Sequence, residues 1–126
     1  MKRVLVDIDV LVEYLRGHPR AVDFVETYSE RIILSSLVVA ELGAAALDDA
    51  DQEALHQVLS LFPVVPVNWE VAVDAAKIRR GYTGNGGVTL ADAILAATAR
   101  AENAELKTLS PAHYPMIEDL KPAWTE

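Results

Sequence analysis

The sequence has no cysteine and no long apolar run, and each shortage excludes a class of protein. Without cysteine there is no disulfide framework. No apolar stretch approaches the length that a bilayer-spanning helix needs. The chain also enters a predicted strand almost at once, without the charged, apolar and small-residue regions of a secretory signal. We therefore expect a cytoplasmic protein with no membrane contact.

Basic residues are scarce as well. The chain carries 11 Lys and Arg residues against 19 Asp and Glu residues, a formal net charge of -8. This balance has the wrong sign for a protein that holds nucleic acid through a general basic surface. It does not exclude a metal-dependent nuclease, because clustered carboxylates are the ligands of such a site and bound divalent cations reverse the local field.

Short apolar runs alternate with segments of helical spacing along the 126 residues, which we expect to form one domain, 1–126. Such alternation predicts an α/β fold with a mainly parallel sheet. The predicted strands are 4–6, 31–34, 63–67 and 105–109, and the predicted helices are 10–15, 19–28, 37–46, 51–62, 69–80 and 90–102.

Two acids share the first strand-to-helix turn. Asp7 directly follows a β-branched run typical of a strand buried on both faces, at the edge where open α/β sheets place their ligands. An ionised acid is costly there without a positive partner, which favours a functional role over a simple turn residue. Apolar side chains recur at helical spacing from Val10 onward, so Asp9 is predicted to be the helix N-cap, or alternatively to orient Asp7 or a metal-bound water.

Two further acids lie on predicted helices. Glu41 interrupts an apolar stretch, and helical spacing places it on the same side as Leu37 and Val38. The plain alternative is a glutamate at the rim of the core. Asp92 follows Thr89 at capping-box spacing, so it either holds the helix start or presents a carboxylate beside a glycine-rich loop.

Three separated carboxylates without cysteine or paired histidine suit Mg²⁺ or Mn²⁺ rather than zinc. Asp7, Glu41 and Asp92 are the candidate ligands. In a two-metal site, ions about 4 Å apart activate a water and stabilise the leaving oxygen of a phosphodiester. The sequence thus favours phosphodiester hydrolysis through metal ions.

Basic side chains and one histidine complete the candidates. Lys77, Arg79 and Arg80 precede the glycine loop; they either complement a helix C-terminus or contact substrate phosphates. His113 follows a strand end and is a candidate for metal or phosphate binding, although a lone histidine is more often a packed or loop residue.

Four segments, 4–11, 35–42, 90–97 and 106–110, resemble in order the motifs of the PIN domain and, within it, of the VapC-type toxins of bacterial and archaeal type II toxin–antitoxin pairs. Together they cover nearly the whole chain. The resemblance implies a three-layer α/β/α PIN-like domain with a mainly parallel central sheet of four or five strands.

The same resemblance implies a function. It is that of a Mg²⁺-dependent endoribonuclease, the toxin of a VapBC-type pair, which hydrolyses RNA phosphodiesters with a metal-activated water and accepts Mn²⁺ as a substitute. Asp7, Glu41 and Asp92 are implied to gather on one side of the sheet as catalytic metal ligands. A homodimer and a cognate VapB-like antitoxin that blocks the site are also implied.

The fourth motif departs from the family pattern. Relatives commonly show Thr-x-Asn-x-x-Asp or His followed by an aromatic residue, whereas this chain has Ser110 in place of the Asn, and His113 and Tyr114 at the later positions. A fourth carboxylate is therefore missing, which leaves the number of metal ions open. We expect Asp9, Thr108, Ser110 and His113 to support the ligands rather than replace them.

Other functions fit the residues less well. A haloacid-dehalogenase-type phosphatase also opens with Asp-x-Asp after its first strand, but it needs Thr or Val where this chain has Leu11. A receiver domain needs a phosphoacceptor Asp after its third strand, and this chain has Asn68 and Trp69 at that position. A degenerate PIN domain kept for protein binding is the alternative outside the enzymes; the intact acids disfavour it, and the altered fourth motif favours it.

Overall fold

The computed structural model describes residues 1–84 and 87–126, and a parallel sheet lies at its centre. Its strands are β1 (Val4–Val6), β2 (Ile32–Ser35), β3 (Val64–Val65) and β4 (Glu105–Lys107), in the order β3-β2-β1-β4. All three pairings are parallel, and Val4 lies opposite Ile32 on one side and Glu105 on the other. The carboxyl ends of the strands therefore meet along one edge of the sheet.

Six α-helices surround this sheet in the described part of the chain. They are α1 (Ile8–Leu15), α2 (Pro19–Tyr28), α3 (Ser36–Ala44), α4 (Asp49–Leu59), α5 (Trp69–Gly81) and α6 (Leu90–Ala101). The chain adds β2 and then β3 on one side of β1, and β4 pairs on the other side of β1. Because parallel crossovers are right-handed, α1–α4 lie on one face of the sheet and α5 and α6 on the other. The predicted three-layer α/β/α architecture is confirmed.

The core forms where the helices cover the sheet. β1 is wholly buried, as its unbroken apolar run predicts, and each buried Val or Leu side chain contributes about 1.5–3 kcal/mol. On the face of the sheet covered by α5 and α6, the α6 residues Ala93, Ala96 and Ala97 are buried, and their small side chains let α6 approach α5 closely. No helix in the described ranges is long and apolar enough to cross a bilayer, and α5, with 13 residues, is the longest among them.

Several helix starts are where the sequence predicts them. Ser35, Asn68 and Thr89 cap α3, α5 and α6 by accepting backbone N–H groups, and Pro19 begins α2. Cap chemistry is local, which is why the sequence alone identifies it.

The predicted cap of α1 is wrong. Asp7, not Asp9, has the extended backbone of an N-cap, and its Oδ1 accepts the Ile8 N–H at 2.7 Å. Apolar periodicity begins only at Val10, but the helix itself begins where β1 ends, so Asp9 lies in the first helical turn. Asp7 therefore serves as a helix cap whatever else it does.

Other differences concern boundaries. The helices predicted over 37–46 and 51–62 are observed as α3 (Ser36–Ala44) and α4 (Asp49–Leu59). The strand predicted over 105–109 ends at Lys107, because Thr108 and Leu109 turn toward the acids of β1 and α1. Of the predicted loop after α5, Asn85 and Gly86 lie outside the described residues.

The C-terminal segment, which has no periodicity in the sequence, packs back on the fold. A 3-10 turn, Pro111–His113, leads into the buried Tyr114. Farther on, the Ala123 N–H donates to the Thr108 carbonyl at 2.7 Å, and the Trp124 ring lies against His18 and Phe24. These contacts fix the loop that follows β4.

Candidate active site

Asp7 lies at the centre of the carboxyl edge and is almost completely buried, with 5% of its surface exposed. It follows β1, so its position is set by pairing on both sides of that strand. Its Oδ1 accepts the Ile8 N–H at 2.7 Å, and its Oδ2 accepts hydroxyls from Thr108 and Tyr114, both at 2.8 Å. These three hydrogen bonds offset the free-energy cost of burying the Asp7 carboxylate.

Thr108, directly after the neighbouring strand β4, links two of the acids. Its buried hydroxyl lies 2.8 Å from Asp7 Oδ2 and 3.3 Å from Asp9 Oδ2. The same oxygen accepts the Ser110 N–H at 3.0 Å. Because parallel pairing of β1 with β4 places their ends side by side, a residue 101 positions from Asp7 becomes its direct partner.

Asp9 ties α1 to the loop after β4. Its carboxylate accepts the Leu109 N–H at 3.1 Å and the Ser110 hydroxyl at 3.0 Å. Burial, and then the nearby charge of Asp7, raise the pKa of Asp9 despite these donors. Its acceptors are directed into the protein, so its contacts are those of an anchor for the loop.

Tyr114 is a member of the site that the sequence did not assign a role. Its side chain is 1% exposed, and its hydroxyl lies 2.8 Å from Asp7 Oδ2 and 3.4 Å from Asp92 Oδ1. Burial, and then the charge of Asp7, raise the pKa of Tyr114 far above its usual range, so the group remains a neutral donor. The only signal in the sequence was its place at the aromatic position that ends the fourth motif.

Asp92 and Glu41 reach the same edge from two helices. Thr89 caps α6 by accepting the Asp92 N–H at 3.1 Å, while the Asp92 carboxylate turns toward Tyr114. Glu41 is half-buried on α3, and burial, followed by the charges of Asp7 and Asp92, raises its pKa. The three acids therefore repel one another, although they come from three separate segments of the chain.

The remaining candidates lie at or beyond the rim. His113 Nδ1 is 3.7 Å from Asp92 Oδ2, and the histidine side chain is 61% exposed. Lys77, Arg79 and Arg80 are exposed near the end of α5, and in the described residues none of them pairs with a candidate acid. The structure brings the histidine to the acids and leaves the three basic residues outside that cluster.

The acidic side chains at this edge of the sheet suit a hard divalent cation. The candidate ligands are carboxylate oxygens, which such ions prefer. Burial raises the pKa of Glu41 and repulsion from Asp7 and Asp92 adds to it, and a cation would relieve that repulsion. Within 1–84 and 87–126, no three acidic or histidine side chains form a ready cage around one point. Mg²⁺ does not need such a cage, because it usually keeps several waters and binds through one or two carboxylates and substrate phosphates.

Comparison with known proteins places this geometry in a family. The PIN domain profile matches residues 4–109. Ribonuclease VapC10 of Mycobacterium tuberculosis is 33% identical over 122 residues, which cover 94% of this chain and 91% of that protein. Ribonuclease VapC19 of the same species is 31% identical over 124 residues, which cover 95% and 98%.

A solved structure shares the fold. A chain of a toxin-antitoxin complex from Klebsiella pneumoniae matches with a TM-score of 0.83 and 21% identity, over 96% of this chain and 98% of that one. The four motifs, the parallel sheet and the acids at its carboxyl edge agree with the profile match. The chain belongs to the PIN domain family, in the branch that contains its VapC relatives.

Proposed function

We propose that the chain is a Mg²⁺-dependent endoribonuclease, with Mn²⁺ as a substitute ion, and the toxin of a VapBC-type pair. The observation that carries the proposal is the meeting of Asp7 and Asp92 at one buried hydroxyl, with Glu41 close enough that their charges add to burial in raising its pKa. The names of the VapC10 and VapC19 relatives, both ribonucleases, support the choice of RNA.

In this proposal some residues bind the ion and others hold those residues in place. Asp7, Glu41 and Asp92 would hold the ion, which when bound supplies an activated water and neutralises charge on the phosphodiester. Thr108 fixes Asp7 by a buried hydrogen bond, and Ser110 fixes the neighbouring Asp9, so the position of Asp7 is set before substrate arrives. Such preorganisation avoids a rearrangement cost during the reaction.

Substrate phosphates would meet the basic residues on α5. Lys77, Arg79 and Arg80 are exposed near the end of α5. Asp74 of α5 pairs with Arg100 near the end of α6, so the two packed helices run antiparallel and the end of α5 lies toward the start of α6, where Asp92 lies. Each phosphate neutralised on a single strand steepens the salt dependence of log K by about 0.7. Arg79→Ala should therefore weaken RNA binding and flatten the salt dependence, while Arg20→Ala on α2 should change neither. Identical salt slopes for both variants would contradict this contact.

The primary test is cleavage of single-stranded and structured RNA with Mg²⁺, with Mn²⁺ and with EDTA. We expect EDTA to stop cleavage and Asp7→Asn to lower the rate by more than about 100-fold, because changes next to a metal ligand already cost 10–100-fold. Asp23→Asn, at an exposed position on α2, is the matched control and should cleave normally. Cleavage that survives both EDTA and Asp7→Asn would overturn the metal mechanism.

The second candidate function is a degenerate PIN domain that only binds a partner. The serine at position 110, where relatives commonly have Asn, and the lack of a fourth carboxylate in the motif favour it. It predicts no cleavage of any RNA by a protein that still forms its complex. A haloacid-dehalogenase phosphatase, by contrast, would release phosphate from a small ester, and the PIN domain match disfavours it.

We also propose a homodimer and a VapB-like antitoxin as partners. Large apolar side chains are exposed at Leu47 (90%), Leu61 (72%) and Trp69 (78%), and they provide apolar surface for a partner to cover. Light scattering of the purified chain should give twice the mass of one chain. Trp69→Ser tests whether α5 takes part in that assembly; a monomeric wild-type protein would contradict the dimer.

A further inference from the structure

We propose that Tyr114 is a positioning residue for the ion: with Thr108 it saturates Asp7 Oδ2, so that Oδ1 is the oxygen of Asp7 left to bind the cation. This inference rests on the proposed metal-dependent function. It assigns a role to a hydroxyl that the family motif, which asks only for an aromatic residue, does not require.

The argument starts from the acceptor positions of Asp7. A carboxylate offers about four lone-pair sites, two on each oxygen. Oδ2 receives the Thr108 and Tyr114 hydroxyls, both at 2.8 Å, and is full. Within residues 1–84 and 87–126, Oδ1 receives only the Ile8 N–H, at 2.7 Å, which leaves one site open. The three donors therefore fix both the rotation of the carboxylate and the oxygen that remains available.

The second contact of Tyr114 connects Asp7 with the opposite side of the site. The hydroxyl lies 3.4 Å from Asp92 Oδ1, so one proton lies between two carboxylates that otherwise repel each other. Its distance to Asp7 is shorter, which directs the proton mainly to Asp7. Tyr114 thereby sets the spacing of two candidate ligands from different layers of the fold.

The Tyr114 side chain is itself held firmly. Its N–H donates to the Pro111 carbonyl and its carbonyl accepts the Ile117 N–H, both at 3.0 Å, and its ring is 1% exposed. A buried ring with its backbone fixed on both sides has little freedom to move the hydroxyl. Tyr114→Phe keeps this packing and removes one oxygen, which makes it a clean test.

The experiment titrates MnCl₂ into the EDTA-treated, dialysed full-length chain by calorimetry, without RNA. We expect Tyr114→Phe to weaken Mn²⁺ binding 10–100-fold, in the range found for partners that orient metal ligands. With RNA and saturating Mn²⁺, its kcat should fall while KM for RNA stays within twofold. Tyr28→Phe is the matched control, because its ring packs on Phe24 and Arg31 instead of an acid, and it should bind Mn²⁺ as wild type does.

A second route tests the same oxygen. Thr108→Val removes the other donor to Asp7 Oδ2 and should also weaken Mn²⁺ binding, whereas Thr108→Ser keeps the hydroxyl and should restore it. If both hydroxyls act through one carboxylate, the double variant Tyr114→Phe/Thr108→Val will lose less than the product of the two single effects. The comparison of Thr108→Val with Thr108→Ser holds even if Tyr114→Phe does not fold.

The outcomes separate the two proposals. Wild type that binds Mn²⁺ and cleaves RNA, together with Tyr114→Phe that binds Mn²⁺ equally well or more tightly, overturns the role of Tyr114 and leaves the proposed function intact. Wild type that neither binds Mn²⁺ nor cleaves RNA overturns the proposed function, and the role of Tyr114 with it.

Discussion

Asp7 and Asp9 on one side of the site, and Glu41 and Asp92 on the other, are held in different ways. The first two follow β1 and are anchored by donors from Ile8 and the 108–110 loop, with Tyr114 added on Asp7. The second two come from α3 and α6. In the described residues, the Asp92 carboxylate contacts the Tyr114 hydroxyl at 3.4 Å and His113 Nδ1 at 3.7 Å, and the Glu41 carboxylate accepts no hydrogen bond.

The difference separates a fixed half of the site, Asp7 and Asp9, from an adaptable half, Glu41 and Asp92. A buried network in which each carboxylate accepts several hydrogen bonds holds its members in one arrangement. Carboxylates with unused acceptor positions can instead turn toward an ion and its waters. In the proposed cation site, the fixed half would set the location of the ion, and the adaptable half would complete its shell.

The largest expected effect tests the adaptable half. At one hundred times its Kd, Mn²⁺ should stabilise the wild-type chain by about 2.7 kcal/mol, read as a rise in Tm. Asp92→Asn should lose most of this gain, because it removes a charged ligand. Asp49→Asn, in the exposed first turn of α4, is the matched control and should retain it. Equal gains in both variants would mean that Asp92 does not bind the ion.

The next effect tests the fixed half without any metal. Thr108→Val should lower the free energy of unfolding by about 1–3 kcal/mol, because buried acceptors on Asp7 and Asp9 and the Ser110 N–H lose a partner. Thr98→Val is an equally buried control in which the lost hydroxyl only donates to the Ile94 carbonyl of its own helix. Urea denaturation measures the loss of unfolding free energy in both variants. Equal losses would show that the Thr108 hydroxyl contributes no more to stability than a single hydrogen bond within a helix.

The fixed half also shows which features of the site can be predicted from the sequence. The apolar run of β1 and the polar residue that ends it predict Asp7 at the carboxyl edge, and the caps at Ser35, Asn68 and Thr89 follow from local chemistry. The parallel sheet follows from the alternation of strands and helices. These features depend on near neighbours in the chain.

The rest depends on contacts between distant segments. Tyr114 reaches Asp7 across 107 positions through a tail that has no periodicity, so no pattern in the sequence indicates the pair. The capping error at Asp9 has a related cause, because the apolar spacing that suggested it ignores where pairing with β2 and β4 ends β1. Which acid is anchored and which is adaptable is a property of the assembled sheet edge.

The smallest expected effect sharpens the comparison through pH. Burial and the charges of Asp7 and Asp92 raise the pKa of Glu41 above its usual 4.5, so the folded state binds this proton more tightly than the unfolded state does. The stability from that proton is present below 4.5 and is lost as pH rises through the folded-state pKa of Glu41. Glu41→Gln cannot lose a proton, so the metal-free variant should become more stable than wild type as pH rises toward neutral.

A difference profile isolates this residue from the other acids, since they titrate in both proteins. The unfolding free energy of Glu41→Gln minus that of wild type should rise between pH 4.5 and neutrality, and saturating Mn²⁺ should reduce or reverse the difference because the cation replaces the proton. Glu26→Gln, at an exposed position on α2, should give a flat profile. A flat profile for Glu41→Gln as well would place Glu41 outside the field of the other acids, and the adaptable half would then consist of Asp92 alone.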